Sequence, residues 1–159
     1  MSPVEPPDLF QLIRLGVALD ERTLLLHLQD LNEYGQTLLH EAISHRQGDY
    51  ALFLLGKGIN VRQADYQGMT ALHFAAEYRL AEVTACILEH HGNPNATDGH
   101  GNTPLWTAVF SARGDYQVVQ LLVDAGADPT TKNRYGKSPM DFAQQIKDEA
   151  LQRMLSADR

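Results

Sequence analysis

The apolar positions of this chain fall into short clusters, and the clusters repeat in register. Leu39, Leu72 and Leu105 correspond, as do Ala42, Ala75 and Ala108, and the pairs Leu54/Leu55, Ile87/Leu88 and Leu121/Leu122 recur later in each unit. The units open at Gly35, Gly68 and Gly101, and a fourth opening, GKSPMDFA, follows at Gly136. A period of this length marks a stacked architecture, in which no unit buries its apolar face alone.

Each unit predicts two short amphipathic helices and a turn. Thr37, Thr70, Thr103 and Ser138 stand where a side-chain oxygen would cap free backbone N–H groups, and Pro104 and Pro139 follow at the first helical position. The first helix runs through small alanines, which permit close helix approach. The second carries a denser aliphatic face, as in YALFLL and YQVVQLL, and is expected to stop at Gly58, Gly92 or Gly126 in the left-handed conformation. Polar, turn-rich sequence then leads to the next opening glycine.

With TPL at 103–105, TxLHxA around His40 and His73, and GADP at 126–129, these units resemble the ankyrin repeat. The resemblance implies an all-α solenoid of about five helix-turn-helix repeats joined by hairpin-like turns, forming a single domain over 1–159. Full repeats are expected at 35–67, 68–100 and 101–135, with terminal caps at 8–34 and 136–156. Departures stand out against that frame. Repeat three has two extra residues around SARGDYQ, so its inter-helix turn should be enlarged. His91 occupies the helix-ending position of repeat two, with Gly92 after it, which predicts a shifted cap. The signature histidine position runs His40, His73, Trp106, Asp141.

Composition narrows the function classes. The chain has 159 residues with 43% hydrophobic and 21% charged, the balance of a folded protein. The start, MSPVEPPDLF, has acid and proline and no basic segment, arguing against a secretory leader, and no apolar run suggests a membrane span. One cysteine, Cys86, excludes an internal disulfide and suits a reducing, cytoplasmic setting. A net charge of −7 argues against nucleic acid and favours a basic protein partner. The acids gather in residues 1–34 and 68–100.

Residues that invite a chemical role have better structural explanations. HEAISH places His40 and His45 five apart, which separates them around a helix, whereas a zinc-protease pair is four apart. Cys86 falls on the packed face of a second helix, as a buried, inert thiol. YGKS at 135–138 lacks the leading glycine of a phosphate loop and reads as a turn plus an N-cap serine. Arg113-Gly114-Asp115 and the sequon Asn95-Ala96-Thr97 are assigned to turns, with Gly114 and Asp115 starting a helix. No catalytic, metal or cofactor site is expected.

The ankyrin resemblance implies protein binding, without cofactor or catalysis, on a cupped surface of turn tips and first helices. By register the tips are Glu33, Tyr34 and Gln36; Tyr66, Gln67 and Met69; His100 and Asn102; Arg134, Tyr135 and Lys137. The palm is Ser44 and His45, Glu77 and Tyr78, Phe110 and Ser111. Tyr34, Tyr66, Tyr78, Phe110 and Tyr135 need not be aromatic for folding, which favours an interface. Trp106 is a further candidate contact, with packing between repeats preferred, and Phe74 and Phe142 are assigned to packing. The expected role is a module that binds a protein partner, as an inhibitor or immunity-type protein covering a basic enzyme or toxin. The alternative is an adaptor bridging two proteins. The free protein is expected to be monomeric.

Overall fold

The structure, a computed structural model, describes residues 8–17 and 19–156. The acidic, proline-containing start at 1–7, which argued against a leader, lies outside them. Among the described residues there are ten helices and no strand beyond one isolated bridge, Ala64 to Thr70. In chain order they are α1 Leu9–Arg14, α2 Glu21–His27, α3 Leu38–Ser44, α4 Gly48–Gly56, α5 Ala71–Tyr78, α6 Ala81–Glu89, α7 Pro104–Ser111, α8 Gln117–Asp124, α9 Pro139–Gln145 and α10 Glu149–Ser156.

The helices pack in two rows. Helices α1, α3, α5, α7 and α9 touch in series as a first row; α4, α6, α8 and α10 form a second row behind it. Helices of six to nine residues are too short to persist alone in water, so stacking must hold them. Leu39, Leu72 and Leu105 are each buried at the same point of successive units, and the second row adds Leu54, Leu55, Ile87 and Leu122. Burying one such side chain stabilises by about 2 kcal/mol, more than the ~1 kcal/mol of a typical cap. Caps therefore set where helices begin, while burial keeps them folded.

Thr37, Thr70, Thr103 and Ser138 are all N-caps, and Pro104 and Pro139 occupy the first turn. Five residues separate α7 from α8, against two between α5 and α6, so the enlarged turn of the third unit is present. Within it the bend falls at Arg113 and Gly114. Asp115 does not start the helix, which begins at Gln117, whose N–H is accepted by Asp115 Oδ1 at 3.2 Å.

Two further expectations are corrected. Gly58 and Gly126 do take the left-handed conformation, but in the second unit His91 takes it, at φ 64°, and Gly92 does not. Gly92 serves closeness instead: a Cβ there would stand 2.6 Å from Ile87 Cγ2 and 2.9 Å from Ile87 O. Cys86 is only partly buried, because the packed face of α6 is made by Val83, Thr84 and Ile87. Partial burial and the nearby Glu89 and Glu82 push its thiol pKa up, so it is a poor nucleophile.

Candidate protein-binding surface

The turn tips are built by one device used four times. Asn32, Asp65, Asp98 and Asn133 each point Oδ1 into their own turn and accept two backbone N–H groups. These come from Tyr34 and Gln36 (2.9 and 3.0 Å), Gln67 and Met69 (2.9 and 2.9 Å), His100 and Asn102 (2.8 and 2.8 Å), and Tyr135 and Lys137 (3.0 and 3.1 Å). The opening glycines complete the bend with φ between 71° and 81°, a region that suits a residue without Cβ. Neighbouring tips are then tied together. Tyr66 N donates to Tyr34 O at 3.0 Å, Gly99 N to Gln67 O at 2.6 Å, and Arg134 N to His100 O at 2.9 Å.

This ladder went unseen in the sequence, although its signal was there: a short Asx residue three positions before every opening glycine. Alanine at Asp98 is expected to cost about 2 kcal/mol by leaving two N–H groups without their acceptor. Asparagine should be tolerated within roughly 0.5 kcal/mol, since Asn32 and Asn133 already perform the same task. Denaturant midpoints of both variants check this; equal losses would refute it.

Behind the tips, two histidines staple one unit to the next. His40 Nδ1 accepts the Thr37 backbone N–H at 3.2 Å, and its Nε2 faces Met69 O at 3.3 Å. His73 repeats this with Thr70 N (3.1 Å) and Asn102 O (3.1 Å). An Nδ1 that accepts cannot carry a proton, so both rings are neutral with the proton on Nε2, donated to the next unit's carbonyl. Burial pushes the pKa of His40 down to about 4 and lowers that of His73. The ring nitrogens of His40 are thus committed, and His45 is turned to Glu41 instead.

The staple and the Asx turns recur in register with the helix pairs, and a model of three ankyrin repeats matches residues 60–133. The chain belongs to the ankyrin-repeat family. Rabankyrin-5 of Homo sapiens is 34% identical in an alignment that covers 70% of this chain and 10% of that protein. Transient receptor potential cation channel subfamily A member 1 of Homo sapiens is 31% identical over 73% of this chain and 10% of its own length. Nuclear factor NF-kappa-B p105 subunit of Mus musculus is 32% identical over 75% and 12%. The chain spans about a tenth of the length of these curated relatives. Ankyrin repeats generally mediate protein–protein interaction.

On this ankyrin stack the expected contact residues divide into two groups. Tyr34, Tyr66, Phe110 and Tyr135 are strongly exposed, at 57, 78, 65 and 73%. Glu33, His45, Gln67, Glu77, His100, Arg134 and Lys137 are exposed too, while Ser44, Tyr78 and Ser111 are half-buried. Tyr135 stacks on His100 with centroids 6.3 Å apart, and the Arg46 guanidinium lies 5.3 Å from the Tyr78 ring centre. Gln36, Met69 and Asn102 are half-buried and serve the stack. Gln36 Nε2 donates to Asp65 at 3.4 Å, Met69 packs on the core, and Asn102 Oδ1 accepts from Asn133 Nδ2 at 2.9 Å.

Trp106 is half-buried, with its ring edge-on to Phe142 of the next unit at 5.9 Å; Phe110 reaches the same Phe142 at 5.5 Å. An aromatic contact thus stands where two earlier units use a histidine staple. Asp141, at the equivalent position of the fourth unit, keeps the local half of the histidine's task by accepting Ser138 N–H at 2.9 Å.

Two cavities open on this face. The first, about 460 Å³, is lined by Arg14, Tyr34, Gln36, Glu41, Ser44, His45 and Phe74. Glu41, unremarked in the sequence, is buried at its base and ion-paired to Arg14, where units two and four have Phe74 and Phe142. The second, about 260 Å³, is lined by Arg46, Glu77, Tyr78, Arg79, Phe110, Ser111 and Arg113. Among the described residues no helix is long and apolar enough to cross a membrane.

Proposed function

We propose that this ankyrin-repeat chain is a non-enzymatic module that grips a protein partner between its turn tips and its first-row helices. One observation carries the proposal: four large aromatic side chains, Tyr34, Tyr66 and Tyr135 at the turn tips and Phe110 on first-row helix α7, are mostly exposed. Rigid aromatics lose little entropy on binding, and tyrosine is enriched among the few residues that carry most of the energy at protein interfaces. The tips that carry the tyrosines are locked by their Asx bonds, so little ordering cost remains to be met on association. In this proposal residues 1–159 act as one domain, monomeric when free, with 8–34 and 136–156 as caps. A single cysteine supports a cytoplasmic setting.

A finer form of the proposal makes the module an inhibitor or immunity-type protein that covers a basic enzyme or toxin. The net charge of −7 supports it, but three of the seven side chains around the second cavity are arginines. Partner charge therefore has to be read face by face. An adaptor that bridges two proteins would use a second, separate surface.

Affinity capture with tagged wild-type protein, compared with a Tyr34→Ala/Tyr66→Ala/Tyr135→Ala variant, tests the face. The variant should stay folded and lose the captured partner, because the three side chains are exposed. A variant that retains the same partner at the same level would exclude this surface. Inhibition would show as stoichiometric loss of the captured protein's activity.

A further inference from the structure

Four cationic side chains occupy one equivalent and unfavourable backbone position. Arg46, Arg79, Arg113 and Lys147 follow the four successive first-row helices α3, α5, α7 and α9, and have φ of 56°, 58°, 49° and 58°. Residues with a Cβ adopt this left-handed region at a cost, and glycine adopts it freely. At three of the four the helix closes by the same bonds: Arg46 N to Ile43 O and Gln47 N to Ala42 O; Arg79 N to Ala76 O and Leu80 N to Ala75 O; Lys147 N to Gln144 O and Asp148 N to Ala143 O. Any side chain here leaves the helix end in a fixed direction, once per repeat.

Stacking then aligns these positions. Adjacent helices pack about 8–10 Å apart, so the four backbone positions should recur at about that spacing along the stack. Arg46, Arg79 and Arg113 converge on the same cavity, which holds a single carboxylate, Glu77, and the two aromatics Tyr78 and Phe110. Arg46, Arg113 and Lys147 are exposed and Arg79 is half-buried. Among the described residues none of the four is in an ion pair. Cations also complement a helix dipole, but a lysine in the last turn would do so without a strained backbone, and glycine would remove the strain. A glycine at 46 would lose the contact of Arg46 with the Tyr78 ring; beyond that contact, charge at this row is what a strained cation supplies and a glycine cannot.

We propose that this row is the part of the binding face that receives an acidic, extended segment of the partner protein, with carboxylates on Arg46, Arg79 and Arg113 and an apolar side chain against Phe110. The inference rests on the concave-face reading and assigns the partner's chemistry, opposite in sign to what the net charge of the chain favours. An extended strand advances about 3.3 Å per residue, so its carboxylates should recur about every third position to match the row.

Selection of a displayed library of random peptides on the wild-type protein tests this, with two variants as counter-baits. Arg46→Gly/Arg79→Gly/Arg113→Gly removes charge and strain together, and Arg46→Gln/Arg79→Gln/Arg113→Gln removes charge alone. Wild type should enrich peptides rich in Asp and Glu, whose affinity falls as salt rises. Both variants should bind a synthetic copy of the enriched peptide about tenfold or more weakly, and the glycine variant should melt no lower than wild type. Enrichment of neutral or basic peptides, failure to enrich any, or equal affinity for the glutamine variant would each overturn the proposal. A glycine variant that melts clearly lower would assign the cations to stability instead. The tyrosine variant separates the two readings: loss of partner there, with the arginine variants binding normally, keeps the concave face and discards the acidic segment.

Discussion

Lowering the pH from 7 to 4 is expected to remove about 3 kcal/mol of folding stability through His40 alone. In the folded chain its Nδ1 accepts the Thr37 N–H and its ring is buried, so protonation would set N–H against N–H inside the core. Burial is the larger cause and holds the pKa at about 4, while Met69 O, Asp65 and Glu41 pull weakly the other way. The unfolded chain takes up the proton near 6.5, so between 6.5 and 4 it binds more protons than the folded one. Stability is therefore full above about 6.5 and falls as pH drops towards 4. The depressed pKa of His73 adds a loss of the same sign. Carboxylates held low, at Asp20, Asp141 and Asp148, start to contribute only near and below their ordinary 3.8. Urea midpoints across pH 7 to 4.5 read the histidine window by itself; a flat profile there would show that the staples titrate normally.

Alanine at Gly92 is expected to cost about 3 kcal/mol, whereas glycine at the adjacent His91 should gain about 0.5 kcal/mol. The two residues have exchanged the roles that their identities suggest. His91 bears the left-handed backbone, so removing its Cβ relieves strain. Gly92 is not left-handed but has no room, since an added Cβ falls on the side chain and carbonyl of Ile87 near the end of α6. That carbonyl also accepts the Gly92 N–H at 2.9 Å, so the backbone cannot draw away without losing a bond. Thermal or denaturant midpoints for the pair decide it: changes of the same sign would mean that the cap sits elsewhere.

Much of the fold was legible because the features that declare it are local. A threonine followed three residues later by histidine makes a capping box in both units that carry the pair, and a proline in the first turn forfeits no bond. The enlarged turn before α8 followed from counting residues. The failures at Gly92, Asp115 and Cys86 share a cause. Each turned on where a helix starts or stops, or which side it presents, and a one-residue shift of a helix end re-aims every side chain beyond it. The Asx turns and Glu41 were missed for a different reason. Short polar residues in a loop look like ordinary turn composition until their acceptors are seen to meet the same two N–H groups in every unit, and the burial of Glu41 within α3 shows only once Arg14, 27 residues away, is packed against it.

The candidate surface divides in the same way. That the tips would carry Tyr34, Tyr66 and Tyr135 followed from register. Packing of Trp106 between repeats is the preferred reading of the sequence, and its ring does meet Phe142. That Gln36, Met69 and Asn102 are drawn into the stack did not follow, because Gln36 and Asn102 find their partners 29 and 31 residues away, at the next tip, and Met69 packs on the core. What the sequence determined by itself is the repeat, its period and its helix caps, since a cap depends on residues within a few positions of one another; the histidine staples reach carbonyls 29 residues away. Only tertiary structure decided the cationic row. Arg46, Arg79, Arg113 and Lys147 are far apart in the chain, and each adopts a positive φ only because its helix is closed at that point. Stacking then brings the first three to one cavity. Charge summed along a chain ignores that geometry, and the charge a partner meets is set by it.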